Sequence, residues 1–485
     1  MLSETPHNDS QRYRRLVVIS NRLPITLTKE YDAEIKLIPA SGGLVNALLP
    51  ILRERRGLWV GWPGIPSEVG LENLLIVANE ELGFELKPVS LTTKDYHYYY
   101  LGFSNEVLWP LLHNFPTRCN FEPIYWKAYQ SVNRKFAETI AKSAKSGDYI
   151  WVHDYHLLMV AEELRRIGIS QKIGLFMHTP FPPRDTFTIL PWNLQIVRSL
   201  LQYDTIGFQS LRDRNNFIDY VRAALKGLHF NARKRISIIT TERHAVKAGV
   251  YPISIDYEEF VNEAADEKVT NHVNLLKQAC RDRKIILGIE RLDYSKGIPE
   301  RLKAFQNALG RFSDLIGNVT FIQIVVPSRS DIPEYKDLKY EIQQLVSEIN
   351  GKYTQPGWVP VHYMFRSLKR SELIAYYRVA DIAIVTPLID GMNLIAKEYC
   401  AANIDCKGVL ILSQFAGAAE QLGRYSLLVN PYDIEGFADT IYCAYIMDDD
   451  ERQLRMRKLR KSIKNQDIFW WANSFLAESE IYSTG

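Results

Sequence analysis

Cysteine is scarce in this sequence. Its five residues, Cys119, Cys280, Cys400, Cys406 and Cys443, are scattered over 485 positions. None forms a Cys-x-x-Cys pair, which excludes zinc-ribbon and thioredoxin-like chemistry. An odd, sparse set suits a reducing compartment and predicts a cytoplasmic protein. A charge excess of either sign is also missing: 59 Lys plus Arg stand against 56 Asp plus Glu. That balance gives no support to bulk nucleic-acid binding, which needs a basic surplus. The local basic spots RYRRL (12–16) and RMRKLRKSIK (455–464) are read as a solvated tail and a helix face. No apolar run reaches the roughly 18 residues of a membrane span. The polar first sixteen residues predict no signal peptide. The phosphate-cradling pattern GxxxxGK[ST] does not occur, nor does the DxDx[TV] pattern of aspartyl phosphatases. Low-complexity tracts and short-period repeats are absent as well.

What is present is a long alternation of apolar runs and amphipathic segments. RLVVIS (15–20), DYIWVH (148–153), KIGLFMH (172–178) and DTIGFQ (204–209) read as strands, with helical stretches such as residues 126–144 between them. KIILGI (284–289), VTFIQIVV (319–326), DIAIVT (381–386) and GVLILS (408–413) repeat the scheme. Near-continuous apolar strands separated by helices mean parallel sheets covered on both faces. Two sets predict two doubly wound α/β domains, with a seam near VYPISI (250–255) after a helical and basic stretch. The expected division is 1–253, 254–465 and a final aromatic helix within 466–485 that packs back on the first domain. The acidic run MDDDER (447–452) is read as a solvated turn rather than a metal site.

Ligands of open α/β sheets sit at the carboxyl ends of the strands, and that is where this chain places its charges. After IAIV (382–385) comes a Pro-containing turn and then DGMNLIAKEY (390–399). A helix starting there offers the N–H groups of Gly391, Met392, Asn393 and Leu394 to a phosphate. Asp390 and Glu398 are then placed to accept hydrogen bonds from sugar and ribose hydroxyls. The same spacing also fits Asp390 as a plain N-cap and Glu398 as a surface residue. In GIERLDYSKGIPERL (288–302), Arg291 and Lys296 suit a leaving diphosphate, or an exposed salt-bridged loop. In the first half, Asn21 and Arg22 end a strand, SGGL (41–44) precedes a helix, and WVHDYH (151–156) and MHTPFPP (177–183) close strands with His or Asp. A histidine after LFM is also a common structural residue.

Taken in order, these stretches resemble the trehalose-6-phosphate synthase family of retaining glycosyltransferases. The resemblance runs from SNRLP (20–24) to VNPYD (429–433) through SGGL, FSNEVLWP (103–110), WVHDYHL, HTPFP, ERLDYSKGIPER, PSRSD (327–331), DGMNLIAKEY and LSQFAGAA (412–419). It implies the GT-B architecture, two facing Rossmann-like domains with the active site in the cleft between them. It implies transfer of glucose from UDP-glucose to glucose 6-phosphate, giving α,α-trehalose 6-phosphate and UDP.

By the same resemblance, Arg22, Tyr100, Trp109 and Arg329 match acceptor-site residues, chiefly for the phosphate, and Asp154 contacts the acceptor's hydroxyls. Gly43 matches a glycine near the donor diphosphate, and His178 a histidine on the donor glucose. Arg291 and Lys296 match the pair on the diphosphate. Asp390 and the backbone of Gly391 to Leu394 match donor contacts, and Glu398 the ribose contact. Arg291, Lys296, His178 and Asp154 are the expected catalytic set. No metal or cofactor is required, and no covalent protein nucleophile is implied. The expected partners are a nucleotide sugar and a sugar phosphate, with no nucleic acid and no membrane; a homo-oligomer is compatible with the sequence. Ile389 departs from the family's usual Arg in PLRDGMN. Two rival readings stand beside this one. One is a related synthase using glycerol 3-phosphate or another phosphorylated acceptor, or another nucleotide donor, with the base contacts expected around VHYMFRSL (361–368). The other is a non-catalytic sugar-phosphate-binding regulator.

Overall fold

The computed structural model describes residues 15–28, 36–39, 43–65, 79, 82–233, 235–242, 244–281, 283–328 and 333–480. The strands before the seam are β1 (Leu16–Arg22), β2 (Ile25–Thr28), β3 (Lys36–Pro39), β4 (Leu58–Trp62), β5 (Glu85–Pro88), β6 (Tyr149–His153), β7 (Lys172–Phe176), β8 (Thr205–Phe208), β9 (His229–Ala232), β10 (Ile236–Thr240) and β11 (Ala245–Val250). After it come β12 (Lys284–Arg291), β13 (Val319–Val326), β14 (Val361–Phe365), β15 (Ile382–Val385), β16 (Val409–Ser413) and β17 (Leu427–Val429). Among the described residues, the first sheet has the order β5-β4-β1-β6-β7-β8-β11-β10-β9, and the second β14-β13-β12-β15-β16-β17. The second is parallel throughout. The first is parallel as far as β11 and ends in an antiparallel edge. β2 and β3 pair separately as a ribbon.

The antiparallel edge corrects one expectation. The basic stretch before residue 250 folds as β9 to β11 rather than as helix. β10 alternates, with Ser237 and Ile239 buried and its other positions open, and its β-branched residues favour a pleated surface. The acidic run 447–452 is also more than a turn. Asp448 accepts the Glu451 N–H at 2.8 Å and caps the helix Asp449–Asn465. Asp449, Asp450 and Glu451 fill its first turn, where negative charge complements the helix dipole.

Both faces of each sheet are covered, so the central strands are buried along their length. One apolar core runs from the underside of the first sheet to the second. Part of it is the aromatic helix Ile468–Glu480, which lies across the first sheet. There Phe475 stacks on Trp151 at 4.7 Å, and Trp471 lies 5.2 Å from the same ring. Gly207 of β8 leaves the room, since a Cβ there would meet the Phe475 ring at 2.9 Å. No helix among the described residues is long and apolar enough to cross a membrane.

The two sheets turn their carboxyl ends toward each other. The Leu211 N–H donates to Glu420 at 3.0 and 3.2 Å, and Arg212 donates to the Phe415 carbonyl at 3.3 Å. Tyr294 takes the edge of Phe115 at 5.3 Å and the Arg118 guanidinium at 4.6 Å. The closest approach is between backbones: a Cβ on Gly391 would lie 2.2 Å from the His178 carbonyl oxygen. Gly391 is therefore required by proximity to the opposite domain. Gly391→Ala must push the two loops apart, because the obstructing atoms are main chain. The expected result is a larger radius of gyration by small-angle X-ray scattering with unchanged far-UV circular dichroism. An identical scattering curve would show that the contact yields without opening.

Candidate active site

β12 delivers the first cationic pair. Its last residue is Arg291, and a single turn, Tyr294–Lys296, follows. Asp293 holds that turn by accepting from the Ser295 N–H at 2.9 Å and the Ser295 hydroxyl at 2.8 Å. Gly297 then takes φ +64°, the left-handed region glycine enters freely, and opens the helix Ile298–Arg311. This geometry turns Lys296 inward, only 6% exposed, to donate to Asp390 at 2.5 Å. Burial alone would weaken the ammonium, but Asp390, Asp293 and Glu290 outweigh it and raise the Lys296 pKa. Burial likewise pushes the Asp390 carboxyl up, and Lys296, His113 and Arg291 more than reverse that, so it stays ionised. Behind the pair, the buried Arg301 donates to the Thr386 hydroxyl at 3.2 Å and the Lys296 carbonyl at 3.4 Å.

Both simpler readings of these motifs fail. The loop after β12 is not an exposed salt bridge, since Lys296 is buried. Asp390 does not cap the next helix. Asn393, at φ +76°, occupies the cap of Leu394–Ala402, and its amide donates to Glu290 at 3.1 Å and Asp390 at 3.3 Å. Glu398, one turn into that helix, is half-buried and accepts the Tyr377 hydroxyl at 2.8 Å. Burial raises its pKa, with Tyr377 and Arg370 opposing. Ile389 lines neither cavity described below.

The first sheet supplies the facing wall. Asp154 directly follows β6 with φ +73° and ψ 172°. A non-glycine residue there is strained by about 1–3 kcal/mol. Its carboxylate accepts the His178 N–H at 3.2 Å. Burial raises the Asp154 pKa to about 6, against the pull of neighbouring backbone N–H groups and Arg291. His178, two residues beyond β7, is drawn down to about 3 by burial. Arg22 ends β1 with its guanidinium 4.6 Å over the Trp62 ring. Tyr100 lies in a π-helix, Tyr96–Leu108, a rare conformation often found at functional sites. It stacks on His156 at 5.9 Å, and Trp109 follows directly at the start of the next helix.

Two cavities result. The larger, about 520 Å³, is lined by Trp109, His113, Asp154, His178, Thr179, Gln209, Ile253, Glu290, Arg291, Lys296, Asp390, Met392, Asn393, Leu394, Ile395 and Glu398. The smaller, about 310 Å³, is lined by Ser20, Asn21, Arg22, Leu23, Val45, Trp59, Tyr100, Trp109, His153, Asp154, Tyr155, His156 and Arg291. They meet at Trp109, Asp154 and Arg291. One expected residue is turned away from the cavities. Gly391 packs on the His178 carbonyl instead of opening to a ligand. Gly43 begins the helix Gly43–Arg55. Arg329 lies outside the described residues.

The structure also adds residues that the motifs did not single out. His113 is buried against the Lys296–Asp390 pair and donates Nδ1–H to the Trp109 carbonyl, one helical turn back, at 2.8 Å. Burial first, and then Lys296, brings its pKa to about 4. Its spacing from Trp109 is the available signal. Glu290, adjacent to Arg291 in the sequence, is the carboxylate beneath the site. Lys397 is fully buried and donates to the Ile253 carbonyl at 2.7 Å, and burial lowers its pKa to about 7.

Comparison with known proteins agrees over the whole chain. The sequence model of glycosyltransferase family 20 matches residues 14–481. The trehalose-6-phosphate synthase of Mycobacterium leprae is 41% identical over 95% of this chain and 93% of its own. Among solved structures, the α,α-trehalose-phosphate synthase (UDP-forming) from Burkholderia xenovorans in complex with glucose-6-phosphate superposes with a TM-score of 0.86. It is 33% identical and covers 96% of this chain and 100% of its own. A structure from E. coli bound with UDP-2-fluoro glucose gives a TM-score of 0.85 at 35% identity over 96% and 98% of the two chains.

Asp154 combines positive φ with an unfavourably buried charge. Its pKa is raised on folding, so the stabilising effect of its proton is complete below about pH 4 and is lost as pH rises through about 6. Asp154→Asn removes the charge and keeps the size and shape of the side chain. It is expected to exceed the wild type in stability by roughly 1–3 kcal/mol at pH 8 and to match it near pH 4. Thermal unfolding at the two pH values checks this.

Proposed function

The chain belongs to glycosyltransferase family 20, and from that premise we infer a retaining glucosyltransferase. It moves glucose from UDP-glucose to the anomeric hydroxyl of glucose 6-phosphate, giving α,α-trehalose 6-phosphate and UDP. The observation that carries this reading is the junction of two unequal cavities at Arg291, Trp109 and Asp154. The larger takes the nucleotide sugar and the smaller the sugar phosphate. The related structures, one in complex with glucose-6-phosphate and one bound with UDP-2-fluoro glucose, support the pairing.

In the larger cavity, Lys296 and Arg291 face the diphosphate, together with the N–H groups at the start of the helix Leu394–Ala402. Glu398, oriented by Tyr377, takes the ribose hydroxyls, and Asp390 and His178 take the sugar. In the smaller, Arg22 receives the acceptor phosphate beside Tyr100 and Trp109, while Asp154 accepts from acceptor hydroxyls. As the bond from glucose to the diphosphate breaks, negative charge grows on the leaving oxygen. Lys296, buried and held by its ion pair with Asp390, stabilises it there without rearrangement, as preorganised charge does, and Arg291 adds its charge from the junction of the cavities. The acceptor oxygen attacks on the face the diphosphate leaves, so configuration is retained. The leaving phosphate oxygen takes the acceptor's proton, and no protein nucleophile takes part. The two lysine and arginine charges do the work a metal ion would otherwise do. The close seam between the domains holds both sugars in line and keeps water from the donor. Five unpaired cysteines support a cytoplasmic location.

The test is product identification. Purified protein, UDP-glucose and glucose 6-phosphate, followed by phosphatase treatment, are expected to give the single symmetric NMR signal of α,α-trehalose. Unconsumed UDP-glucose overturns the reading. Lys296→Ala is expected to lower kcat by roughly a hundredfold or more, with native circular dichroism.

A further inference from the structure

His153 closes β6 beside β7, and His178 follows β7 by two residues. Their rings meet edge to edge, His153 Nδ1 lying 3.1 Å from His178 Nε2. Burial keeps both imidazoles neutral, His178 near 3 and His153 well below its usual value. One proton therefore occupies the contact, and one ring must donate it. The direction decides what His178 offers to the larger cavity, which it lines.

The far side of His153 settles the direction. Its Nε2 is buried and has no hydrogen-bond partner. The aromatic rings packed about the His153 imidazole, centroid to centroid, belong to Trp151 at 4.7 Å, Phe176 at 6.4 Å and Trp471 at 6.4 Å. Indole N–H groups only donate, and those of Trp151 and Trp471 are themselves buried without an acceptor. A proton on His153 Nε2 would be a buried donor with no acceptor among the described residues, which is rarer than an under-satisfied buried acceptor. A lone pair there suits the surroundings better, which leaves the His153 proton on Nδ1. His153 then donates to His178 Nε2, and the His178 proton must reside on Nδ1, the nitrogen that makes no other bond within the chain.

We propose that His153 is a positioning residue that fixes His178 as the Nδ1–H tautomer, so that His178 presents a hydrogen-bond donor to the sugar being transferred. The identity of that sugar rests on the glucosyl-transfer reading; the direction of the histidine contact does not. A donor at this point recognises a lone pair on a hydroxyl oxygen and holds the ring through the reaction. The aromatic helix Ile468–Glu480 thereby has a role in the site: its Trp471 walls in the far side of His153.

The experiment is ring-nitrogen NMR on protein labelled with ¹⁵N-histidine, paired with kinetics of His153→Phe and His153→Asn. The His178 signals are assigned by their loss in His178→Asn. In the wild type, His178 is expected to carry its proton on Nδ1. His153→Phe keeps the packing and removes the donor. It is expected to shift the His178 tautomer and lower kcat roughly ten- to a hundredfold, with KM for glucose 6-phosphate changed by less than about twofold. His153→Asn can place an N–H near the lost Nδ1 and is expected to recover most of the loss. A wild-type His178 protonated on Nε2 overturns the proposal. So does a His153→Phe enzyme with full kcat, or a folded His153→Asn enzyme no better than His153→Phe, which would reduce His153 to packing. A wild type that shows the Nδ1–H tautomer but transfers no glucose supports the hydrogen-bond direction and counts against the functional reading alone.

Discussion

Everything in the cleft depends on two loops, one from each sheet, touching main chain to main chain. The His178–Thr179 backbone after β7 and Gly391 after β15 leave no room for a methyl group between them. Neither loop holds a complete site. The first has His178 and, across one hydrogen bond, Asp154; the second has Asp390 and, across one ion pair, Lys296. The contact fuses two half-sites into one wall. It also explains why a glycine stands in the loop before the Asn393 cap: the cost in backbone freedom is local, and the gain is close contact between domains.

Charge placement follows from that enclosure. A buried ammonium is costly unless compensated, and three carboxylates surround Lys296. Yet Asp390 and Glu290 also bond to Asn393, and Arg301 supports the group from below. The cluster is thus a nearly neutral, rigid network that presents one cationic face to the cavity. A more exposed arrangement would give up this strength to solvent. Arg291, in contrast, is exposed and reaches both cavities, which suits a group that must follow charge as it moves.

The fold was largely legible in the sequence because doubly covered parallel strands must be continuously apolar. VTFIQIVV (319–326) coincides with β13 for that reason. The edge strands β9 to β11 were not legible, since one open face admits Arg and Lys and hides the strand signal. At the site, the motifs identified Asp390 and Lys296 but left their roles open. The deciding contact joins residues 94 positions apart, and no local spacing reports it. His113 reads locally as an ordinary helix histidine, and only the opposite domain sets it against the Lys296–Asp390 pair. Gly391 shows the reverse: its motif was recognised, yet the structure packs it on the His178 carbonyl instead of setting it in a cavity wall.

The shared wall of the two cavities has a thermodynamic consequence. Trp109, Asp154 and Arg291 each belong to both, so the sites are not independent. A ligand that contacts these three side chains on one side alters the wall met by a ligand on the other. Linkage makes the effect reciprocal: whatever factor the first substrate contributes to the affinity of the second, the second returns to the first. The junction thereby couples the two sites through one shared set of side chains.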